Sequence, residues 1–170
     1  MKKSHANSIL QILEAVNGKS NKFLTYGRHH PPGNTTSRGG GTFLFCKERA
    51  LLLQTGPYCP HQFMYEMPGG HFDEKKDLTL HDTARRETKE EAGIVVDLGH
   101  YKGKTRILEK SGYQYNIYSY EFDEEPEVFL NQEHVKHLWA SWVDLHLLPL
   151  RNHIRKMYVK NGLTPQLDNE

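Results

Sequence analysis

Only two cysteines, Cys46 and Cys59, occur among the 170 residues. They are too few and too isolated for a disulfide framework or a zinc cluster, and a reducing cytosol is the expected setting. No charge of one sign dominates either: 22 Lys and Arg stand against 21 Asp and Glu, a formal net charge of +1. Without a global field, nothing draws in nucleic acid or an anionic membrane. Long apolar runs are missing as well. No segment approaches the ~18 apolar residues of a membrane span. The opening MKKSHANSIL starts like a secretory leader, but Gln11 and Glu14 break its apolar run. The expectation is a soluble, cytoplasmic protein. Apolar residues make up a modest 36% of the chain, and its length suits one domain with room for a core.

What is present has a clear order. Residues 1–36 are expected to hold a helix over Ser8–Val16, stopped by Gly18, and then a connection rich in Gly and Pro. GTFLFC and ALLLQT, separated by KER, predict a hairpin. Gln62–Glu66 predicts a further short strand, ended by Pro68-Gly69-Gly70. Thr79 and Asp82 form a capping-box pair that predicts a helix over Leu80–Ala92, with Gly93 as its stop. IVVDLGHY and TRILEK predict strands, as do the tyrosine-rich residues 113–122, whose alternation slips near Ile117. Trp139–Val143 predicts a last strand, followed by a short helix near Asp144–Leu148 and another helix and tail in 151–170. Strands and helices mix without strict alternation, so an α/β sandwich around a mixed sheet is expected. Gly39-Gly40-Gly41 lacks the GKS or GKT of a phosphate loop and is expected to give the chain freedom before the first strand.

The helix ends on an unusual charge pattern. In RRETKEEAGI, residues three and four apart are neighbours, so Glu87, Glu90 and Glu91 share one face. Like charges so placed repel by roughly 0.2–0.5 kcal/mol per pair. Near a helix C-terminus the dipole disfavours each anion by about 0.3–1 kcal/mol. Such a face calls for a cation. A hard divalent ion takes oxygen ligands, and Mg²⁺ typically uses one or two carboxylates together with substrate phosphates and water. Arg86, four residues before Glu90, is placed to pair with it. On the opposite side Leu80, Ala84 and Thr88 recur every fourth residue and grow smaller, letting the helix lie close to a sheet.

PGGHFDEKKDLTLHDTARRETKEEAGI, read whole, resembles the signature of the Nudix hydrolases. Arg86, Glu87, Glu90, Glu91, Gly93 and Ile94 fall at the family's spacing, and Thr88 stands where a bulkier apolar residue is usual. Gly70 to Arg86 spans two positions more than the pattern, an insertion within FDEKKD. The pattern's first glutamate is thereby displaced onto Leu78 or Lys76, depending on the direction of counting. Glu74 or Asp77 is expected to take over its pairing with the arginine. The resemblance implies a Nudix-type α/β/α sandwich over residues 37–150. It implies hydrolysis of a nucleoside diphosphate linked to another group, with Mg²⁺ or Mn²⁺ held by Glu87, Glu90, Glu91 and Gly70. Gly69 and Gly70 are expected to contact the substrate. It also implies a glutamate base on a loop ahead of the closing WASWVDL segment. Glu133 occupies that place, with Glu121, Glu124, Glu125 and Glu127 as rivals.

Substrate recognition is expected from Tyr113 or Tyr115 against a base and from Arg38 on a phosphate. The proline of many ADP-ribose hydrolases, the SQPWPF-like run of NADH pyrophosphatases and the coenzyme A motif are all missing. Tyr113 stands close to where diadenosine polyphosphate hydrolases carry a tyrosine. A nucleoside triphosphate or dinucleoside polyphosphate is therefore favoured. His29-His30 and His134 with His137 lack accompanying ligands at zinc spacing. The partner is expected to be a small nucleotide rather than nucleic acid or membrane, with homodimerisation left open. A fold that binds nucleotide or RNA without turnover is the alternative, though it would have no need of the three glutamates.

Overall fold

Two apolar runs separated by two charged residues turn back on each other to start the sheet. β1 (Arg38–Cys46) and β2 (Arg49–Thr55) pair antiparallel only at their turn, Phe45 opposite Ala50 and Cys46 opposite Arg49. Beyond that point they diverge. The gap is filled by β3 (Tyr65–Glu66), which pairs with β2, and β4 (Gly69–His71), which pairs with β1. These elements come from a computed structural model that describes residues 38–108, 112–141, 143–151 and 154. The expected helix over Ser8–Val16, the Gly/Pro-rich connection and most of the C-terminal tail lie outside the described residues.

β5 (Tyr101–Leu108), β6 (Gln114–Phe122) and β7 (His134–Ser141) complete a mixed sheet. β6 runs parallel to β1 along its whole length, β5 antiparallel to β6, and β7 antiparallel to β2. One helix, α1 (Leu80–Ala92), covers one face, packing Leu80, Ala84 and Ala92 against Leu44, Leu51, Leu53, Tyr118, Tyr120 and Trp139. On the other face Leu145, Leu150 and Ile154 pack on Phe43, Phe45, Leu52 and Ile117. The expected α/β fold around a mixed sheet is present. Central β6 is buried on both faces from Asn116 to Tyr120, which is why its apolar alternation slips at Ile117.

Several expected elements shift. The strand expected over Gln62–Glu66 shrinks to Tyr65–Glu66, because His61 and Phe63 take left-handed backbone (φ 91° and 58°) in the turn before it. IVVDLGHY is not a strand. Ile94 and Val96 are buried on the helix side of the sheet, then Asp97 caps a 3₁₀ turn over Leu98–His100 by accepting from Gly99 N–H. The last strand begins five residues early, at His134, and ends at Ser141.

The three glycines are the clearest correction. They do not loosen the chain ahead of the sheet; they lie within β1, buried under α1 and β4. A Cβ on Gly40 would sit 2.2 Å from the Leu80 carbonyl oxygen, and one on Gly41 would sit 2.4 Å from the Tyr115 hydroxyl. Only glycine lets the helix backbone come this near. Two turns further on, Thr88 replaces the usual apolar residue with a buried hydrogen bond, 2.7 Å, to Thr42 Oγ1. The ends of α1 follow the sequence. Thr79 Oγ1 accepts from Asp82 N–H, Asp82 returns the bond, and left-handed Gly93 (φ 71°) closes the last turn onto Lys89 O.

Gly40→Ala is therefore expected to destabilise the fold by about 1–3 kcal/mol or more, the range for overpacking a tight contact. Urea unfolding checks this, and a variant with the parent's midpoint would show that the helix is free to move away.

Candidate active site

The divergence of β1 from β2 sets the Met67–Gly70 turn against the C-terminal end of α1. Gly69 N–H donates to Glu91 Oε2 at 2.8 Å. Glu91 is only 6% exposed, and its Oε1 has no partner among the described residues. Burial pushes its carboxyl well above the ordinary range. The Gly69 bond opposes that shift, while the charges of Glu66, Glu87 and Glu133 add to it. Glu87 lies over Gly70, where an added Cβ would meet its carboxylate at 2.4 Å. Its pKa is also raised, by burial first, with Arg86 pulling it down. A Cβ on Gly69 would likewise meet the Tyr115 hydroxyl at 2.1 Å, so the turn approaches both groups more closely than a side chain would allow.

Arg86 is the organiser. Its Nε and Nη2 donate to the two oxygens of Asp77, each at 2.9 Å, while Nη1 donates to Glu87 at 2.8 Å and to Glu90 at 3.0 Å. Nη2 also reaches His71 O at 3.2 Å. Of the two acids expected to replace the displaced glutamate, Asp77 holds this place and Glu74 is exposed. The longer loop is braced rather than slack: Asp77 accepts from Asp73 N–H and Thr83 Oγ1, and its own N–H returns to Asp73 O. The Arg86 hydrogen bonds hold the Asp77 carboxyl down at about 2, and Asp77 in turn raises the pKa of Arg86.

The segment after β6 satisfies the end of the helix. Phe129 N–H donates to Ala92 O and Asn131 N–H to Glu91 O, filling carbonyls that the last turn leaves free. This docking carries Glu133 toward the glutamates, and its charge raises the pKa of both Glu87 and Glu91. Among its rivals, Glu121 pairs with Lys102 at 3.0 Å and Glu125 with Arg49 at 2.7 Å; Glu124 and Glu127 are exposed.

Other expected residues fall at varying distance from this centre. The Tyr115 hydroxyl lies against Gly41 and Gly69, and its ring packs on the core beneath the site. Tyr113 stacks on Tyr115 and meets the edge of His71. The Arg38 guanidinium sits over the Phe72 ring, 3.9 Å from its centroid, beside the carboxylates rather than among them. Glu66, two residues before Pro68, carries no periodic signal in the sequence. Burial raises the Glu66 pKa, but His134 and Arg151 bring it below the ordinary value. His134 bonds Glu66 and Asn131, which occupies the nitrogens a zinc site would use. Among the described residues no three His, Cys, Asp or Glu side chains converge as a ready-made cage, because Arg86 stands between Glu87 and Glu90.

Comparison with known proteins places this geometry. The family model described as NUDIX domain matches residues 36–160. An Ap4A hydrolase of C. elegans, solved as a binary complex, is 22% identical with a TM-score of 0.57, over 73% of this chain and 95% of that one. The NUDIX domain of Shewanella oneidensis NrtR, complexed with ADP ribose, is 18% identical with a TM-score of 0.59, over 78% and 91%. A bifunctional NMN adenylyltransferase/ADP ribose pyrophosphatase of Francisella tularensis, complexed with AMP and a Mn ion, is 13% identical with a TM-score of 0.58. That match covers 91% of this chain and 47% of that one. At these identities the likeness is one of fold. Comparison with curated protein sequences gives no match.

The Asp77–Arg86 bond generates a stability test. Asp77 is 3% exposed, and removing one partner of a buried pair costs about 3–5 kcal/mol. Asp77→Asn and Arg86→Met are each expected to cost at least half that, and the double variant little more than either. Because the folded pKa lies below the unfolded one, the contribution is complete above the ordinary value of 3.8 and fades as pH falls toward about 2. Urea melts between pH 6 and pH 2.5 check this; additive losses, or a gap independent of pH, would contradict it.

Proposed function

The chain belongs to the Nudix family, hydrolases that act on pyrophosphate bonds, and on that premise we propose that it is divalent-metal-dependent and cuts a phosphoanhydride bond in a nucleoside triphosphate or dinucleoside polyphosphate. The observation that carries this reading is Glu91: a buried carboxylate with one oxygen fixed by Gly69 N–H and the other without a partner among the described residues, beside Glu87. Two carboxylates raised in pKa by burial, with hard oxygen donors facing a glycine-lined turn, suit Mg²⁺ or Mn²⁺. Glu87, Glu90 and Glu91, with Gly70 at the turn, are the residues that would hold it. When bound, the metal neutralises phosphate oxygens and makes water a better nucleophile.

The rest falls to the chain's own groups. Gly69 and Gly70 bring the turn backbone up against Tyr115 and Glu87, where it can meet a bound polyphosphate. Arg86 holds Glu87 and Glu90 in register. Glu133 takes the proton of the attacking water as its oxygen bonds to phosphorus and the P–O bond on the far side breaks. Tyr113, partly exposed beside His71, offers a ring to a base. The fold shared with an Ap4A hydrolase supports the dinucleoside polyphosphate arm, and the fold shared with ADP-ribose-binding domains makes ADP-ribose the control.

A panel of nucleoside triphosphates, dinucleoside polyphosphates and ADP-ribose, incubated with Mg²⁺ or Mn²⁺, tests this by release of phosphate and pyrophosphate measured separately. Turnover should need the metal and fall by about two decades or more in Glu91→Gln, while Glu133→Gln should lower it about 10²–10⁴-fold, the worth of a general base. Binding without turnover, or turnover indifferent to chelation, would contradict the proposal.

A further inference from the structure

Glu133 sits on an exposed turn, and a base on a turn works only if something fixes it. The backbone is held from both sides: Glu133 O accepts from Gly56 N–H at 2.7 Å, and Glu133 N–H donates to Asn131 Oδ1 at 3.1 Å. The Asn131 amide does more than close a local turn. The same Oδ1 faces His134 Nδ1 at 3.0 Å, while the Asn131 backbone N–H is bound to Glu91 O. On its far side the His134 ring reaches Glu66 Oε1 at 3.3 Å, and Glu66 is gripped by Arg151. A chain of contacts therefore runs from β3 to the end of α1, with Asn131 at the junction.

The chemistry of the contacts fixes their direction. A backbone N–H can only donate, so the atom of Asn131 facing Glu133 must be its oxygen. That oxygen is then an acceptor for His134, whose Nδ1 must carry its proton. On the other side of the ring, Nε2 faces the Glu66 carboxylate that Arg151 holds. His134 is only 5% exposed, so its ring is not free to turn toward water instead.

We infer that Asn131 and His134 are positioning residues for the reaction: the Asn131 amide oxygen is shared by the Glu133 N–H and His134, while the Asn131 backbone N–H ties the same turn to the Glu91 end of α1. The inference rests on the pyrophosphohydrolase reading above and adds to it which residues set the place of the base. Neither side chain touches the reacting atoms. Their loss should lower kcat through Glu133 and leave KM nearly unchanged.

The test uses the full chain with Mg²⁺ and whichever nucleotide of the panel it hydrolyses. Asn131→Leu should lower kcat about 10–100-fold, the usual effect of removing a group that orients a functional residue. Asn131→Asp, which keeps an acceptor oxygen for both donors, should recover most of that loss. In a Glu133→Gln background, Asn131→Leu should cost nothing further. Hydrogen exchange gives a readout apart from activity: protection of the Glu133 amide should be lost in Asn131→Leu, kept in Asn131→Asp and weakened in His134→Gln. If His134→Gln fails to fold, the two Asn131 variants decide alone. A parent-like kcat in Asn131→Leu, an equal loss in the Glu133→Gln background, or unchanged amide protection would overturn the inference and leave the hydrolase reading intact. A parent that hydrolyses nothing on the panel would overturn both.

Discussion

One buried, half-satisfied carboxylate sets the terms for the rest of this structure. Glu91 is fixed by the Gly69 N–H on one oxygen and, among the described residues, has no partner on the other. An anion held out of water without a counter-charge is costly, and its raised pKa records that cost. Glu87 and Glu133 add like charge to the same region. The fold tolerates this because the elements around Glu91 are pinned independently of it.

That pinning starts with the absence of side chains. Gly40 and Gly41 let α1 and Tyr115 come up against β1 at distances that a Cβ would forbid. The helix then has a fixed height over the sheet, and the Thr42–Thr88 bond adds lateral register. At its start the capping box sets where α1 begins; at its end the residues of 129–131 meet the free carbonyls. Arg86 is gripped by Asp77, so its Nη1 is available to hold both Glu87 and Glu90. Each contact is ordinary in strength, but together they leave the glutamates few other places to go.

Much of this was legible in the chain. Thr79, Asp82 and Gly93 marked α1 to the residue because capping is local chemistry, and the RE–EEAG spacing carried the family because helical periodicity fixes which carboxylates share a face. Asp77 was legible only as one of two candidates, since its choice over Glu74 depends on how the six-residue loop folds around Asp73 and Thr83. Three features did not show. The glycine run looked like slack because nothing in sequence says that a helix backbone lies over it. IVVDLGHY has strand-like residues, yet only Ile94 and Val96 are buried, and only its last residue, Tyr101, enters a strand. Glu66, Asn131 and His134 come together across strands and loops far apart in the chain, and no local pattern records such a meeting.

On the proposed function, Glu91 is a destabilising charge in the metal-free protein and a ligand in the working one. Its folded pKa is raised, so its contribution to stability is complete below the ordinary value of 4.5 and is lost as pH rises through the folded value. Thermal unfolding of the parent and of Glu91→Gln, at pH 8 with and without Mg²⁺, measures this directly. Without metal the variant should melt above the parent, with the gap closing near pH 4.5. Added Mg²⁺ should raise the parent and leave the variant almost unmoved. A variant that melts below the parent without metal, or an equal Mg²⁺ shift in both, would contradict the account.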